Sequence, residues 1–365
     1  MRAAAGSIVA SPVLASWDPD PDYFFHWFRD SAIVIDAVRL LYETGDLGSE
    51  AIRHFDDFVR FSLSLQALDG RTLVADASWR AKVLPEFVQY LRGEELAAVS
   101  GESVYADVRV NPDGTLDITR WTRPQHDGAP LRALTVCRWL RALRGRSGGA
   151  NVEAERLLRM DLAMTVAHWR EPSLDILEEE LGHHYFTLRV SEAALEEGAE
   201  WLRDAGDDAQ ATAFETEAHT IRSALDEYWD ERHAYYRSRV LADGAASAKL
   251  LDMAVILAAI HAEDGPVAAH SPRDPRMQAT LDRLTELFDR LYPINHGRPA
   301  DRGPAMGRYE GDVYFSGGAY YFSTLGAAEF CFRAAGGYPA GSGESLAWCA
   351  RGDGYLETGR AFTPP

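Results

Sequence analysis

Cysteine is scarce in this 365-residue sequence, which contains only Cys137, Cys331 and Cys349. An odd count at wide spacing argues against a disulfide framework and a zinc ribbon, and it fits a reducing compartment. Near the start of the chain, Ser11 and Pro12 interrupt any apolar run, so the sequence indicates no secretory signal. These features predict a cytoplasmic protein.

Positive charge is also in short supply. Lys and Arg number 37 against 56 Asp and Glu, which gives a formal net charge of −19 at pH 7. Such a charge repels nucleic acid and anionic membrane surfaces. The sequence has no run of about 18 apolar residues and so predicts no membrane span. We expect a neutral or cationic ligand, with neither nucleic acid nor a membrane as partner.

Common motifs of cofactor and metal enzymes are missing as well. The sequence contains no G-x-G-x-x-G, P-loop, H-E-x-x-H or G-x-S-x-G pattern. His183 and His184 are adjacent, but no spaced set of carboxylates accompanies them, so they do not indicate a metal site. The predicted chemistry needs neither a metal ion nor an organic cofactor.

Helical periodicity is what the sequence has in abundance. Apolar residues recur at helical spacing in segments 29–43, 49–65, 130–143, 152–169, 191–205, 207–228, 245–262, 275–292 and 318–335. The first of these has few polar positions and predicts a buried helix. Short strands or hairpins are indicated only at 70–77 and 101–110. The sequence therefore predicts an all-α protein.

Long segments rich in Trp, Gly and Pro separate the helices, at 11–28, 101–130, 170–188 and 295–318. Unstructured segments of this length are uncommon in compact domains and are often functional. They recur about once per helix pair. This rhythm predicts a barrel of paired helices whose loops meet at one rim.

The first of these segments ends in an aromatic run, residues 23–28, that opens onto Arg29 and Asp30. Sugar recognition needs this mixture, because sugar C–H faces stack on aromatic rings and sugar hydroxyls need fixed polar partners. The alternative is a buried aromatic cluster in which Asp30 and Ser31 cap the helix.

Two other segments combine aromatic and charged residues in the same way. Residues 120–128 read R-W-T-R-P-Q-H-D-G, and residues 307–314 place an Arg and an Asp among tyrosines. Both suit a polyol ligand. The alternatives are a Pro/Gly loop with Asp127 as a helix cap, and an ordinary turn between helices.

The remaining segment carries three consecutive glutamates, residues 178–180. Glycoside hydrolysis generally uses two carboxyl groups, one protonated and one ionised. Repulsion between adjacent acids helps to keep one of them protonated. The alternative is a solvated helix face, although the apolar lead-in at 174–177 and the aromatic exit at 185–186 favour a site.

Taken in this order, the segments resemble the glucoamylase family, glycoside hydrolase family 15. The matching motifs are G-S-I-V-A-S-P at 6–12, Pro21-Asp22-Tyr23 with W-x-R-D-S at 27–31, W-x-R-P-Q-x-D-G at 121–128 with L-R-A at 131–133, D-x-x-E-E at 175–179, and G-R-Y at 307–309 with D-x-Y at 312–314. The resemblance implies an (α/α)6 barrel that forms one catalytic domain over residues 1–365.

The implied activity is that of an inverting exo-α-glucosidase. Water displaces the leaving sugar in one step, and β-D-glucose is released from malto- or isomalto-oligosaccharides or a longer α-glucan. The resemblance makes Glu178 the general acid and Glu179 a partner of the leaving sugar. The other implied substrate contacts are the clamp residues Arg29, Asp30 and Arg308, the aromatic walls Trp27 and Trp121, Tyr23 beside the attacking water, the backbone at Leu177, and Arg123 and Tyr320 in their motifs.

The sequence departs from the family pattern near the implied site of the second sugar. Leu177 stands where the family commonly has Trp, residues 310–312 replace Pro-Glu-Asp, and residues 316–320 replace Asn-Gly-Asn-Pro-Trp. These departures leave the linkage open between α-1,4, α-1,6 and others.

The family's general base is a Glu in a Glu-Gln motif beyond the segment that resembles residues 353–356. The sequence stops at Pro365, so we expect the base, the closing helices and an opening helix to be missing from it. Three alternatives follow from this expectation: a saccharide-binding protein without turnover, a trehalase of the same family, and a truncated product.

Overall fold

The computed structural model describes residues 2–12, 22–144, 151–262 and 269–363. Pro21 of the family motif lies outside these ranges, as do residues 13–20 of the first long segment. The chain divides into two units. Unit 1 comprises Met1–Glu179 and Ala194–Glu217, and unit 2 comprises Glu180–Ala193 and Ala218–Pro365.

Eleven α-helices dominate the described residues. They are α1 (Phe28–Thr44), α2 (Ser49–Ser64), α3 (Gly70–Ala75), α4 (Gly128–Leu143), α5 (Val152–His168), α6 (Tyr185–Asp204), α7 (Asp208–Asp226), α8 (Ala254–His261), α9 (Pro275–Leu291), α10 (Tyr321–Ala335) and α11 (Gly343–Phe362). Each of the nine segments with apolar helical periodicity overlaps one of them. The predicted all-α secondary structure is confirmed.

Strands are short and few in the same ranges. They are β1 (His26–Trp27), β2 (Arg109–Val110), β3 (Ser173–Leu174), β4 (Leu181–His184), β5 (Trp229–Asp230), β6 (Tyr235–Tyr236) and β7 (Arg239–Leu241). In unit 1, β1 pairs antiparallel with β2, with His26 opposite Val110. In unit 2, β4 pairs antiparallel with β7 and β5 with β6.

The largest differences from the predicted helices are at α8 and α11. The segment predicted as helix from 245 is helical only from Ala254, because the carbonyl oxygens of Lys249 and Leu250 accept hydrogen bonds from Ser238 at 2.6 and 2.8 Å. Helix α11 was not predicted. Its glycines weaken helical propensity, but Gly352 faces the Phe332 ring so closely that a Cβ would lie 2.8 Å from it.

The predicted strand at 70–77 is wrong, since α3 occupies most of it. Asp69 caps this helix by accepting from the backbone N–H of Arg71 at 2.9 Å. Gly70 packs against the backbone of Leu96, where a Cβ would lie 1.8 Å from the carbonyl oxygen. The turn chemistry of Asp-Gly therefore outweighs the strand-like residues that follow.

Helices α1, α4 and α5 pack together in unit 1. Trp139 of α4 is fully buried, stacks on Phe55 with ring centroids 4.8 Å apart, and donates to the carbonyl of Ile35 at 2.9 Å. Thr135 donates to the carbonyl of Ala32 at 3.0 Å. Polar atoms of α4 thus fix its position against the backbone of α1.

Helix α1 is less buried than its sequence predicts. Val34, Leu40 and Leu41 are 46%, 42% and 44% exposed, whereas Phe28 and Ile35 are buried. Apolar composition showed that a helix forms, but it did not show that one of its apolar faces stays accessible.

In unit 2, α10 packs against α8 and α11. Phe330, Cys331 and Tyr355 are buried there, and the Tyr355 hydroxyl hydrogen-bonds Thr285 of α9 at 2.8 Å. Among the described helices of the chain, none is long and apolar enough to cross a membrane.

A buried ion pair joins α4 to α5. Arg132 donates to both carboxylate oxygens of Asp161, at 2.8 and 2.7 Å, and both side chains are at most 1% exposed. Such a pair is costly to break, because the remaining charge stays buried without its counter-ion.

We expect Asp161→Asn to destabilise the protein by about 3–5 kcal/mol, since it leaves the Arg132 guanidinium buried and unneutralised. The matched control is Asp57→Asn, which breaks the exposed pair with Arg60 on α2 and should cost at most about 0.5 kcal/mol. Urea unfolding midpoints measure the loss of stability in both variants. Equal midpoints for the two variants would contradict the assigned role of the buried pair.

Candidate active site

Glu178 lies in a tight turn of unit 1, outside any helix. The buried Asp175 shapes this turn: its carboxylate accepts from the backbone N–H of Leu177 at 2.7 Å, and its carbonyl accepts from that of Glu178 at 2.8 Å. Glu178 has φ +65°, a left-handed conformation that costs energy for a residue other than glycine. A solvated helix face, the alternative interpretation of this glutamate, is therefore wrong.

Four side chains in unit 1 direct donors at the Glu178 carboxylate, and we call them the donor set. Trp27 Nε1 and Gln125 Nε2 donate to Oε1 at 3.0 and 2.9 Å, and Trp121 Nε1 donates to Oε2 at 2.7 Å. The Nη2 atom of Arg29 lies 3.5 Å from Oε1. The carboxylate is 16% exposed, so these donors replace most of its water.

Arg29 connects the donor set to a second carboxylate. Its Nη1 donates to Gln125 Oε1 at 2.8 Å and to Asp127 Oδ2 at 3.0 Å, and its Nε lies 3.5 Å from Asp30. Burial by itself would lower the pKa of Arg29, but the charges of Asp127, Asp30 and Glu178 outweigh it and raise the pKa. The guanidinium stays charged and fixes the orientation of the Gln125 amide.

The helix-capping alternatives do not hold. Asp127 stands at the N-cap of α4 but makes no side-chain cap, and it accepts from Arg29 instead. Burial raises the pKa of Asp127, and the Arg29 charge opposes that rise. Asp30 and Ser31 lie inside the first turn of α1, and the Ser31 hydroxyl donates back to the carbonyl of Phe28 at 3.1 Å.

Arg109, which the sequence did not single out, supports the aromatic residues of the site. Its guanidinium carbon lies 3.9 Å from the ring centroids of Phe25 and Trp121 and 4.6 Å from that of Trp27. The side chain is fully buried, and its Nε donates to Asp117 at 2.9 Å. A cation enclosed by rings in this way holds both indoles in place.

Arg123 lies beside this support. It donates to Asp107, to Asp117 at 2.9 Å and to the carbonyl of Thr119 at 3.4 Å. Burial would lower the pKa of Arg123, but Asp107 and Asp117 raise it. In the structure its donors face these two aspartates, and its contact with substrate stays a prediction.

The predicted aromatic walls are adjacent. The rings of Tyr23 and Trp27 lie 5.8 Å apart at 51°, and those of Trp27 and Trp121 lie 5.7 Å apart at 76°. Beyond the turn, Leu177 is half-buried and Glu179 is exposed. Three of the four long segments thus meet around one carboxylate within unit 1.

The fourth long segment is organised around Arg308 in unit 2. Arg308 Nε donates to Asp312 Oδ2 at 2.6 Å and Nη2 donates to Oδ1, and both side chains are at most 6% exposed. Burial would raise the pKa of Asp312, but hydrogen bonds from Arg308 lower it. The guanidinium carbon lies 4.9 Å from the ring of Tyr314 and 5.4 Å from that of Tyr320. This is a buried, charged turn rather than an ordinary connection.

Among the described residues, one group of three side chains has the ligand types and spacing that a metal ion requires. His126, His168 and Glu171 offer ligand atoms that all lie within 4.8 Å of one another. Of the adjacent pair considered from the sequence, the His184 ring is engaged elsewhere, since its Nε2 hydrogen-bonds the carbonyl of Glu180 at 3.0 Å.

The model of the glycosyl hydrolases family 15 matches residues 1–65 and 109–344 of this chain. The chain belongs to that family. A probable glucoamylase of Schizosaccharomyces pombe is 30% identical over 342 residues, which cover 90% of this chain and 64% of the relative. Glucoamylase 1 of Rhizopus oryzae is 27% identical over 342 residues, covering 91% of this chain and 50% of the relative.

Solved structures agree with the family assignment. The Hormoconis resinae glucoamylase superimposes on this chain with a TM-score of 0.79 at 25% identity. The match covers 100% of this chain and 63% of the glucoamylase chain. The family 15 glucoamylase of Hypocrea jecorina gives 0.79 at 22% identity, with 99% and 61% covered. The predicted all-α fold of the (α/α)6 class is confirmed, and this family 15 chain spans 64% and 50% of the length of the two curated relatives named above.

Sequence reasoning found part of the site of this family 15 chain. Tyr23, Trp27, Arg29, Trp121 and Glu178 come together as expected, although their roles toward a substrate stay predictions. The motif at 120–128 contained Gln125, but only the structure shows that its amide links Arg29 to Glu178. Arg109 and its partner Asp117 carry no signal in a single sequence, because they support the aromatic rings from behind.

His26 anchors the strand that carries Trp27. Its buried ring packs on Phe61 with centroids 4.8 Å apart, and its Nδ1 accepts from the backbone N–H of Ile8 at 3.0 Å. Burial, assisted by the charge of Arg132, lowers the pKa of His26 to about 3.

His26 should therefore make folding depend on pH. The folded state keeps it neutral, whereas the unfolded chain protonates it near pH 6.5, so the stability that it contributes is complete above pH 6.5 and falls as the pH drops. Between pH 7.5 and 5.0 the free energy of unfolding should drop by about 2 kcal/mol more in the wild type than in His26→Asn, which keeps an acceptor but cannot titrate. Urea titrations at both pH values measure the free energy of unfolding of the two proteins. An identical pH dependence in the wild type and His26→Asn would refute the role assigned to His26.

Proposed function

We propose that this chain hydrolyses terminal α-glucosidic bonds of malto- or isomalto-oligosaccharides with inversion and releases β-D-glucose. The observation that carries the proposal is the Glu178 carboxylate, held in a left-handed turn by two indoles, an amide and a guanidinium. Relatives named glucoamylase match 90% or more of this chain, and they support the substrate class.

The donors on Glu178 are distributed unequally between its two oxygens. Oε1 accepts from Trp27 and Gln125 and lies closest to Arg29, so its lone pairs are occupied. Oε2 accepts only from Trp121 among the described residues, which leaves one lone pair. We infer that Oε2 carries the proton that passes to the glycosidic oxygen as the bond to the leaving sugar breaks.

The side chains around this carboxylate suit a sugar ring. Trp27, Trp121 and Tyr23 offer aromatic surface for C–H faces, and the Asp30 side chain is 44% exposed and able to accept from a hydroxyl. The contacts implied by resemblance at Arg123, Leu177, Glu179, Arg308 and Tyr320 are part of the same proposal.

Inversion also needs a carboxylate base about 6.5–9.5 Å from the acid, which leaves room for the attacking water. We assign no described carboxylate to that role, since the resemblance places the base in a motif after residue 356. Saccharide binding without turnover is the second candidate, and glucose release by the wild type distinguishes hydrolysis from it.

We expect Glu178→Gln to lower kcat for maltose and isomaltose by about 10²–10⁴-fold, because an amide cannot serve as the proton donor. Affinity for maltose, measured by calorimetry, should change far less, because the aromatic walls remain. The matched control is Glu153→Gln, at an exposed position in the first turn of α5, which should keep wild-type turnover.

Urea midpoints near the wild-type value show that the variants fold. Undiminished turnover in folded Glu178→Gln would refute the assigned role of Glu178. Maltose binding without glucose release by the wild type would favour the saccharide-binding candidate. Faster release from trehalose than from maltose would favour a trehalase.

A further inference from the structure

A group of metal-ligating side chains lies beside the donor set in unit 1. We call His126, His168 and Glu171 the histidine cluster. His168 is the last residue of α5, and the backbone N–H of Glu171 donates to the His168 carbonyl at 2.9 Å, so one turn presents both side chains.

The segment that carries His126 is held in place by its own backbone hydrogen bonds. The backbone N–H of His126 donates to the Ser173 hydroxyl at 3.0 Å, and the N–H of Leu174 donates to the Pro124 carbonyl at 2.9 Å. The segment before α4 and the segment after α5 are thus hydrogen-bonded to each other. The cluster does not depend on long, unsupported side chains to come together.

The distances within the cluster are close to those of a metal site. His168 Nδ1 lies 2.8 Å and His126 Nε2 lies 3.5 Å from Glu171 Oε2, and all three ligand atoms lie within 4.8 Å of one another. Zn²⁺ binds such atoms at about 2.0–2.2 Å, which separates tetrahedral neighbours by about 3.3 Å. Small side-chain adjustments would suffice to enclose an ion.

One ligand atom in the cluster has no other use. The His126 side chain is only 6% exposed, and its Nε2 is buried without a hydrogen-bond partner among the described residues. Buried polar atoms in proteins are nearly always partnered, so an orphaned imidazole nitrogen that faces a carboxylate calls for a ligand. A surface ion pair between His168 and Glu171 would not account for it.

We propose that His126, His168 and Glu171 bind a divalent transition-metal ion of the Zn²⁺ type. Two imidazoles and one carboxylate suit Zn²⁺, Co²⁺, Ni²⁺ or Cu²⁺, whereas Ca²⁺ and Mg²⁺ prefer oxygen ligands. Glu171 is 54% and His168 29% exposed, which gives the ion access from solvent and leaves a position for water.

The His126 side chain is the least accessible of the three, and the more accessible His168 and Glu171 would adjust around the ion. The rings of His126 and His168 are nearly parallel, with centroids 5.0 Å apart and planes at 11°. Because His168 is partly exposed, its ring can turn so that Nδ1 points at an ion held by His126 without disturbing the core.

The bound ion would restrain the active-site loop. His126 stands between Gln125, which donates to Glu178, and Asp127, which accepts from Arg29. A metal ion on His126, His168 and Glu171 would tie this loop to the end of α5. Binding should therefore raise the melting temperature by mass action, whether or not the chain hydrolyses glucosides.

The test uses tag-free, chelator-treated protein titrated with ZnCl₂ in a calorimeter and melted with and without the ion. We expect one saturable site per chain and a higher Tm with Zn²⁺. His168→Ala and Glu171→Gln should each weaken Zn²⁺ binding by more than about 10-fold. Replacing a residue that only hydrogen-bonds a metal ligand already lowers metal affinity by about that much, and replacing a ligand itself should cost more. Both positions are partly exposed, so the variants should fold.

The matched control is His219→Ala, an exposed histidine on α7 outside the cluster, which should bind Zn²⁺ like the wild type. Equal affinity in His168→Ala, Glu171→Gln and the control would overturn the proposal, as would the absence of saturable binding in the wild type. Because binding is measured without sugar, failure of the metal site is distinguishable from failure of the proposed hydrolysis.

Discussion

A carboxyl group that is mostly removed from water must find its hydrogen-bond partners inside the protein, because a buried polar group without partners costs free energy. Glu178 is in this position, and the indoles of Trp27 and Trp121, the amide of Gln125 and the guanidinium of Arg29 meet the requirement. The left-handed backbone at Glu178 persists because these donors hold its side chain. Three separate segments are brought together by this one group.

The donors in turn depend on buried charges behind them. Arg109 lies against both indole rings, and Asp117 neutralises Arg109 while also accepting from Arg123. Such networks contribute little when complete but are expensive to break, so they specify geometry more than they add stability. The arrangement leaves the donors of Glu178 with little freedom to reorganise, which is what proton transfer to a positioned substrate requires.

The sequence predicted most of the described helices, because apolar residues that recur at helical spacing indicate a helix, although they did not show which apolar face of α1 stays accessible. It failed where local chemistry or close packing decides, as at the Asp69 cap of α3 and at the glycines of α11, which pack against neighbouring side chains and backbone. For the site, aromatic and charged motifs located Trp27, Trp121 and Glu178. Gln125 contacts Glu178, and Arg109 contacts Trp27, across more than 50 residues of sequence, and one sequence does not reveal such contacts. The cytoplasmic location and the single catalytic domain over residues 1–365 stay predictions.

The central claim is that Glu178 protonates a glucosidic bond while water attacks from the opposite face. Proton NMR during the first turnovers on maltose tests this most directly, because it resolves the two anomers of glucose before they interconvert. Inversion predicts that β-glucose appears first and that the α-anomer grows in only by mutarotation. Initial α-glucose would contradict the account.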